Sequence, residues 1–386
     1  MLKKRFISLI CVILCLCTLI LSVPRAVRAE NSEDQFVLNC KSAVLMEAST
    51  GKVLFAQNPD EALPPASVTK IMTLLLVMEA IEEGRLKWDD QVVTSDRAAS
   101  MGGSQIYLEV GETMSVEDMV KSVVIASAND AACALAERVA GSEEAFVKRM
   151  NERARELGMV NTRFENTNGL DDTATEHLTS ALDIAIMSKE LIKHKKILEY
   201  SSIWMDTVRN GEFGLTNTNR LVRFYKGCTG LKTGSTSKAG FCISATAERD
   251  GMSLICVIMG AETRDIRNSE ATKLLDWGYA NYSLFTHDGG RMENVAVTGG
   301  NVNCINVNYP KFTAVVPAGK ANKVEVKISV PDMLSAPLKK GEIVGKVSFL
   351  LDGATLGEVN AVSECEVECI SYFQVFIRML AKFLLL

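Results

Sequence analysis

Phe241-Cys242-Ile243-Ser244-Ala245-Thr246-Ala247-Glu248-Arg249-Asp250-Gly251-Met252-Ser253-Leu254-Ile255-Cys256-Val257-Ile258-Met259 decides the fold class of this chain. Two apolar runs, Phe241 to Ala247 and Ser253 to Met259, read as strands, and Arg249-Asp250-Gly251 between them supplies turn residues. Strands joined by so short a turn run antiparallel. Around them the texture is helical. Downstream, a helix is expected through Leu274, Leu275 and Trp277. Upstream, Ile71, Leu74, Leu75, Met78 and Ile81 form a helical stripe within Lys70 to Ile81. Val116, Met119, Val120, Val123 and Val124 form a second, with Ser115 as its N-cap. Ser142 opens a third helix that ends at Gly158. Helices and an antiparallel hairpin in one domain, without a regular βα period, define an α+β fold.

Beyond His287-Asp288-Gly289-Gly290 the pattern changes. Short runs rich in Val and Ile (Val295 to Val297, Val324 to Val330, Ile343 to Leu350) lie between Gly, Pro and Asn turns, as in a small all-β domain. Ile370 to Leu386 follows as an apolar, helical tail. Its polar residues Ser371, Gln374, Arg378 and Lys382 recur as one narrow stripe, and Tyr372, Phe373, Phe376, Ile377, Leu380 and Phe383 cover the rest. Lying in the membrane surface suits this pattern better than spanning, because Arg378 at the bilayer midplane would cost about 2.5–3.5 kcal/mol. At the other end, Lys3, Lys4 and Arg5 precede an apolar run from Ile7 to Val23, and Val27-Arg28-Ala29 offers a cleavage site. The expected organisation is a signal peptide at 1–29, a first domain at 30–288, a β-rich domain at 289–369 and a membrane-anchoring amphipathic helix at 370–386. The protein is expected to be exported, to the outer face of the cytoplasmic membrane.

The 386 residues suit two domains, and a net charge of −5 without any basic run argues against nucleic acid as a partner. Eight cysteines follow the signal segment and are widely scattered, unlike a dense disulfide framework. Cys242 and Cys256 lie in strand-like runs and read as buried free thiols. Cys365-x-x-x-Cys369 lacks a second ligand pair, and His177, His194 and His287 are far away in sequence, so neither a metal site nor a cofactor is expected.

Chemistry concentrates in three short motifs. Pro64-Pro65-Ala66-Ser67-Val68-Thr69-Lys70 puts a serine in the first turn of an apolar helix, and residues three apart share a helix face. A serine hydroxyl needs a base to become a nucleophile, and Lys70 can serve if burial and positive neighbours lower its pKa. Alone the pair is unspecific: Ser235 and Lys238 repeat it, although beside a strand that spacing sends the side chains to opposite faces. Ser127-Ala128-Asn129 falls between two helices, and Lys232-Thr233-Gly234 opens a strand ahead of the hairpin.

In this order, Ser-x-x-Lys, Ser-x-Asn and Lys-Thr-Gly resemble the signature of penicillin-binding proteins and serine β-lactamases. Longer runs resemble the D-alanyl-D-alanine carboxypeptidases: Gly111-Glu112, Ser127 to Ala132, Asn168-Gly169-Leu170, His177-Leu178-Thr179-Ser180, Gly230 to Gly234 and Ala239-Gly240-Phe241. The resemblance implies a penicillin-binding-protein-like domain, an antiparallel sheet with helices, followed by the small β domain. It implies that Ser67 attacks the carbonyl between the terminal D-alanines of peptidoglycan pentapeptide stems, and that Lys70 takes the proton. Ser127 would relay a proton to the leaving nitrogen, and Asn129 would hold the substrate amide. Lys232, Thr233 and Gly234 would form the edge for the substrate strand. The N–H groups of Ser67 and Ser235 would form the oxyanion hole, and Arg267 would read the terminal carboxylate. β-Lactam antibiotics, which mimic that end, would acylate Ser67. The rivals on the same fold are a β-lactamase, an endopeptidase or transpeptidase, and a silent penicillin-binding wall protein. Class A β-lactamases usually carry Ser-Asp-Asn where Ala128 stands here, and Glu165-Asn166 sits in a carboxypeptidase-like context.

Overall fold

The computed structural model describes residues 36–172 and 174–384, so the signal-like segment at 1–29 lies outside the described residues. Five strands make the central antiparallel sheet: β1 (Ser42–Glu47), β2 (Val53–Gln57), β3 (Cys228–Thr236), β4 (Gly240–Arg249) and β5 (Met252–Ala261), in the order β2-β1-β5-β4-β3. The hairpin read from the sequence is β4–β5. Arg249 pairs with Met252 across a turn made of Asp250 and Gly251, with φ of 50° and 75°. Positive φ at both central positions matches the right-handed twist of the flanking strands, and Asp-Gly accommodates it.

Among the described residues, the longer helices around the sheet are α1 (Lys70–Glu82), α2 (Val116–Ile125), α3 (Asn129–Ala140), α4 (Glu143–Glu156), α5 (Ala181–Leu191) and α6 (Arg264–Asn281). Cross-strand pairing puts Ala245 and Cys256 on one face and Ser244 on the other. The Cys256 thiol meets the carbonyl of Ala271 in α6 at 3.7 Å, and the Ser244 hydroxyl meets that of Ser188 in α5 at 2.8 Å. The sheet is therefore covered on both faces. The expected caps are present: Ser115 accepts from the N–H of Asp118 at 3.1 Å, and Ser142 from that of Ala145 at 3.2 Å.

Helix α1 departs from the amphipathic stripe expected of it. Its first nine residues, Lys70 to Met78, are all buried. It packs against α3, α4 and α5 and so has no solvent face there; an apolar helix covered all round is the centre of a core.

The later strands are β6 (Tyr282–His287), β7 (Gly290–Thr298), β8 (Cys304–Tyr309), β9 (Phe312–Pro317), β10 (Glu325–Ser329), β11 (Met333–Ser335), β12 (Ile343–Leu351) and β13 (Ala354–Ser363). Six of them form a sheet in the order β10-β12-β13-β8-β7-β11, while β6 pairs with β9. Val295, Val297, Ile305, Val307, Leu334 and Val367 belong to a separate small core, and Phe312 stacks on Phe349 with centroids 4.2 Å apart. Helix α7 (Tyr372–Leu384) closes the described chain with no buried residue. The eight described cysteines are free thiols, and Cys242 and Cys256 are buried as expected.

Candidate active site

A single 3-10 turn, Ala66–Thr69, precedes α1 and carries Ser67. Ala66 has φ 49°, a left-handed value that costs a residue with a Cβ about 1–3 kcal/mol and must be held by its surroundings. Lys70 Nζ lies 2.8 Å from Ser67 Oγ and donates to the carbonyl of Asn168 at 2.8 Å. Burial pushes the Lys70 pKa well below the usual lysine value. The positive charge of Lys232 adds to the effect, and Asp130 opposes it. A neutral amine keeps a lone pair, so the Ser67 hydroxyl can donate to Nζ.

Strand β3 forms the edge of the sheet beside this turn. A Cβ on Gly234 would lie 2.8 Å from both Pro65 O and Ser67 N, so only glycine allows the strand this near the serine. Lys232, two residues earlier and on the same face, is 1% exposed. It donates to the carbonyl of Thr233 at 3.0 Å, and burial followed by the Arg267 charge lowers its pKa to about 7. The Thr233 hydroxyl donates to that of Thr218 at 2.8 Å.

Between α2 and α3, Ser127 takes φ 62°, and its buried hydroxyl has no partner among the described residues. Asn129 opens α3. Its Nδ2 donates to the Gly102 carbonyl at 2.6 Å, while its buried Oδ1 is likewise unpaired. Buried polar atoms are seldom left so, and both are available to a bound peptide. The neighbouring Asp130 does structural work: its carboxylate accepts from the N–H groups of Ile106 and Leu108 at 3.0 and 3.1 Å, which ties the segment after Ser104 to α3.

Ser67, Ser127, Thr233, Gly234, Ser235 and Arg267 line one cleft of about 630 Å³. A cleft of about 720 Å³ around Asn151, Arg155 and Phe164 contains none of the expected site residues. Arg267 is 3% exposed rather than a solvated helix arginine; burial and then Arg264 lower its pKa to about 10. The second Ser-x-x-Lys pair does not assemble, since Lys238 donates to the carbonyl of Asp171 instead. Glu165 is also turned elsewhere, with its carboxylate accepting from the N–H groups of Thr175 and Glu176.

Sequence reasoning missed several residues of the cleft. Trp204, Thr218, Arg220 and Arg264 also line it, and no local pattern marks them. Asn168 was visible in its motif, but it acts through a backbone carbonyl that any residue would supply.

The sequence profile of the D-alanyl-D-alanine carboxypeptidases matches residues 28–263, and that of the C-terminal domain of penicillin-binding protein 5 matches residues 281–369. The chain is 44% identical to the D-alanyl-D-alanine carboxypeptidase DacF of Bacillus subtilis over 82% of its own length and 83% of that protein's. It is 35% identical to DacC of Escherichia coli, over 88% and 86%. In three dimensions it resembles penicillin-binding protein 5 from Haemophilus influenzae, with a TM-score of 0.76 at 32% identity, over 86% of this chain and 98% of that one. With more than half of its length inside the family profile, the chain belongs to the D-alanyl-D-alanine carboxypeptidase family.

Proposed function

We propose that Ser67 is the nucleophile of this serine-type D-alanyl-D-alanine carboxypeptidase and Lys70 its base. The observation that carries the assignment is the 2.8 Å contact between Lys70 Nζ and Ser67 Oγ. In the forward step, Ser67 Oγ attacks the carbonyl carbon of the penultimate D-alanine, and its proton passes to Lys70. The N–H groups of Ser67 and Ser235 stabilise the oxyanion. As the C–N bond breaks, Ser127 relays the proton from Lys70 to the leaving D-alanine nitrogen, which leaves Lys70 neutral again. Asn129 holds the peptide amide, and the substrate backbone extends edge β3 at Lys232, Thr233 and Gly234. Lys232 and Arg267 bind the terminal carboxylate. Water then attacks the acyl ester and gives its proton to Lys70, which passes it to Ser67 Oγ as the ester C–O bond breaks and a stem shortened by one D-alanine is released. β-Lactams stop at the ester.

The same reading divides the chain into a signal peptide at 1–29, a catalytic domain at 30–288, a β-rich domain at 289–369 and an anchoring helix at 370–386. The exposed aromatic and aliphatic side chains of α7, Phe373, Phe376 and Phe383 among them, support anchoring in the outer surface of the cytoplasmic membrane. Arg378 donates to Asn303 Oδ1 at 3.0 Å and to the carbonyl of Asn301, which ties the polar side of the helix to the β7–β8 turn.

The test is D-alanine release from a Lys-D-Ala-D-Ala peptide, with and without an amine acceptor, together with mass spectrometry of the penicillin adduct. Ser67→Ala should abolish both release and labelling with the fold intact. An adduct on Ser235, or release that survives in Ser67→Ala, would sink the assignment.

A further inference from the structure

His177 and Thr69 take no part in the proposed proton transfers, yet both are buried, at 6% and 0% exposure; Thr69 ends the turn that carries Ser67, and His177 meets it from behind. The N–H of Glu165 donates to His177 Nδ1 at 3.0 Å. In a neutral ring that places the remaining proton on Nε2, which lies 2.8 Å from Thr69 Oγ1. Burial lowers the His177 pKa to about 4, so the ring is neutral at ordinary pH. With a proton arriving from the imidazole, the Thr69 hydroxyl directs its own to the carbonyl oxygen of Ala66 at 2.8 Å.

That carbonyl and the N–H of Ser67 belong to one peptide group. In a planar trans peptide the two point in opposite directions, so fixing Ala66 O fixes where the Ser67 N–H points. Something must fix it, because Ala66 sits at φ 49°. Gly169 closes the other side of the same oxygen. A Cβ there would lie 1.8 Å from Ala66 O, and its own φ of 85° suits glycine.

We propose that His177, acting through Thr69, is a positioning residue that orients the Ala66–Ser67 peptide group and so aims the Ser67 N–H at the oxyanion. The role rests on the reading of Ser67 as nucleophile and oxyanion donor. The ordered series is Glu165 N–H to His177, His177 to Thr69, and Thr69 to Ala66. Each member is fixed by the one before it.

The experiment compares acylation by a D-Ala-D-lactate ester with acylation by the matching thionoester, in which sulfur replaces the carbonyl oxygen. Well-aimed N–H donors favour the oxygen form. Thr69→Val removes the hydroxyl at nearly constant volume and should lower kcat on the ester by about ten- to a hundredfold, short of the ~10²–10³ seen when a donor is deleted outright. The thionoester should lose much less, and KM should hold. Thr69→Ser should restore the ester rate, and His177→Phe should repeat the selective loss. An equal loss on both substrates, or an unaltered ratio in Thr69→Val and His177→Phe, overturns the positioning role. Penicillin labelling of Ser67 in the unmutated chain is read first. Its absence removes the nucleophile assignment, whereas labelled Ser67 with an unaltered ratio removes only the role of His177 and Thr69.

Discussion

Helices α1 and α7 are each thirteen residues long and rich in apolar side chains, yet the first nine residues of α1 are buried and none of α7 is. The difference lies in how polar groups are distributed around each axis. Over Lys70 to Met78, α1 has polar side chains only at Lys70 and Thr73, and both are bonded inside the protein: Lys70 to Asn168, and Thr73 to the carbonyl of Thr167 at 2.6 Å. Protein can therefore close over it from every side. In α7, Gln374, Arg378 and Lys382 keep one stripe polar, and none of the apolar remainder is buried. The same surroundings also treat cations oppositely. Burial around α1 drives Lys70 toward its neutral form, which is what a base needs, while Arg378 reaches out of α7 to donate to the Asn301–Asn303 turn.

The sharpest way to break the comparison is to remove the buried amine. Lys70→Met keeps length and apolar volume while deleting the lone pair that takes the Ser67 proton. Acylation by penicillin should fall by about 10²–10⁴-fold, the usual contribution of a positioned general base, with the protein still folded by circular dichroism. Arg378→Met, the matching change in α7, should acylate at the normal rate. If Lys70→Met acylated normally, burial of that lysine would be a matter of packing alone.

Next in size is a stability effect. Leu75 is 1% exposed at the centre of the α1 core, so Leu75→Ala should cost about 2–5 kcal/mol through lost burial and the cavity left behind. Denaturant melts of the soluble protein would read it. A cost under about 1 kcal/mol would show that the core around α1 can collapse onto the gap, contrary to a helix held on all sides.

What the sequence disclosed follows the range of the physics. Local signals were legible: the Ser115 and Ser142 caps, the Asp250-Gly251 turn, and the three-residue spacing that lets Lys70 reach Ser67. The burial of α1 on all sides goes beyond its single stripe. Met72, Leu76 and Val77 lie off the stripe of Ile71, Leu74, Leu75 and Met78, and their apolar character already marked a helix without a wet face. Long-range features were not legible. The Asn168 carbonyl leaves no side-chain signature, Thr218 meets Thr233 across fifteen residues, and the left-handed Ala66 gives no compositional hint. Thr69 stands in the Ser-x-x-Lys segment and His177 in His177-Leu178-Thr179-Ser180, yet only three dimensions bring them together.

The smallest effect comes from making the same truncation in the other helix. Leu380 is 43% exposed, so Leu380→Ala should change folding stability by no more than about 0.5 kcal/mol, unlike its counterpart Leu75→Ala. Its consequence should appear only where lipid is present. If α7 lies in the membrane surface, Leu380 enters the acyl boundary, and each methylene lost there is worth about 0.8 kcal/mol. Affinity for anionic vesicles, read by sedimentation, should then fall by about ten- to fiftyfold for the three carbons removed, while D-alanine release from a small soluble peptide stays unchanged. Two results separate the possibilities. A destabilisation like that of Leu75→Ala would make α7 an ordinary packed helix, and unchanged vesicle binding would turn its apolar face toward something other than lipid. Only the proposed anchor predicts a substitution that the folded protein ignores and the vesicle detects.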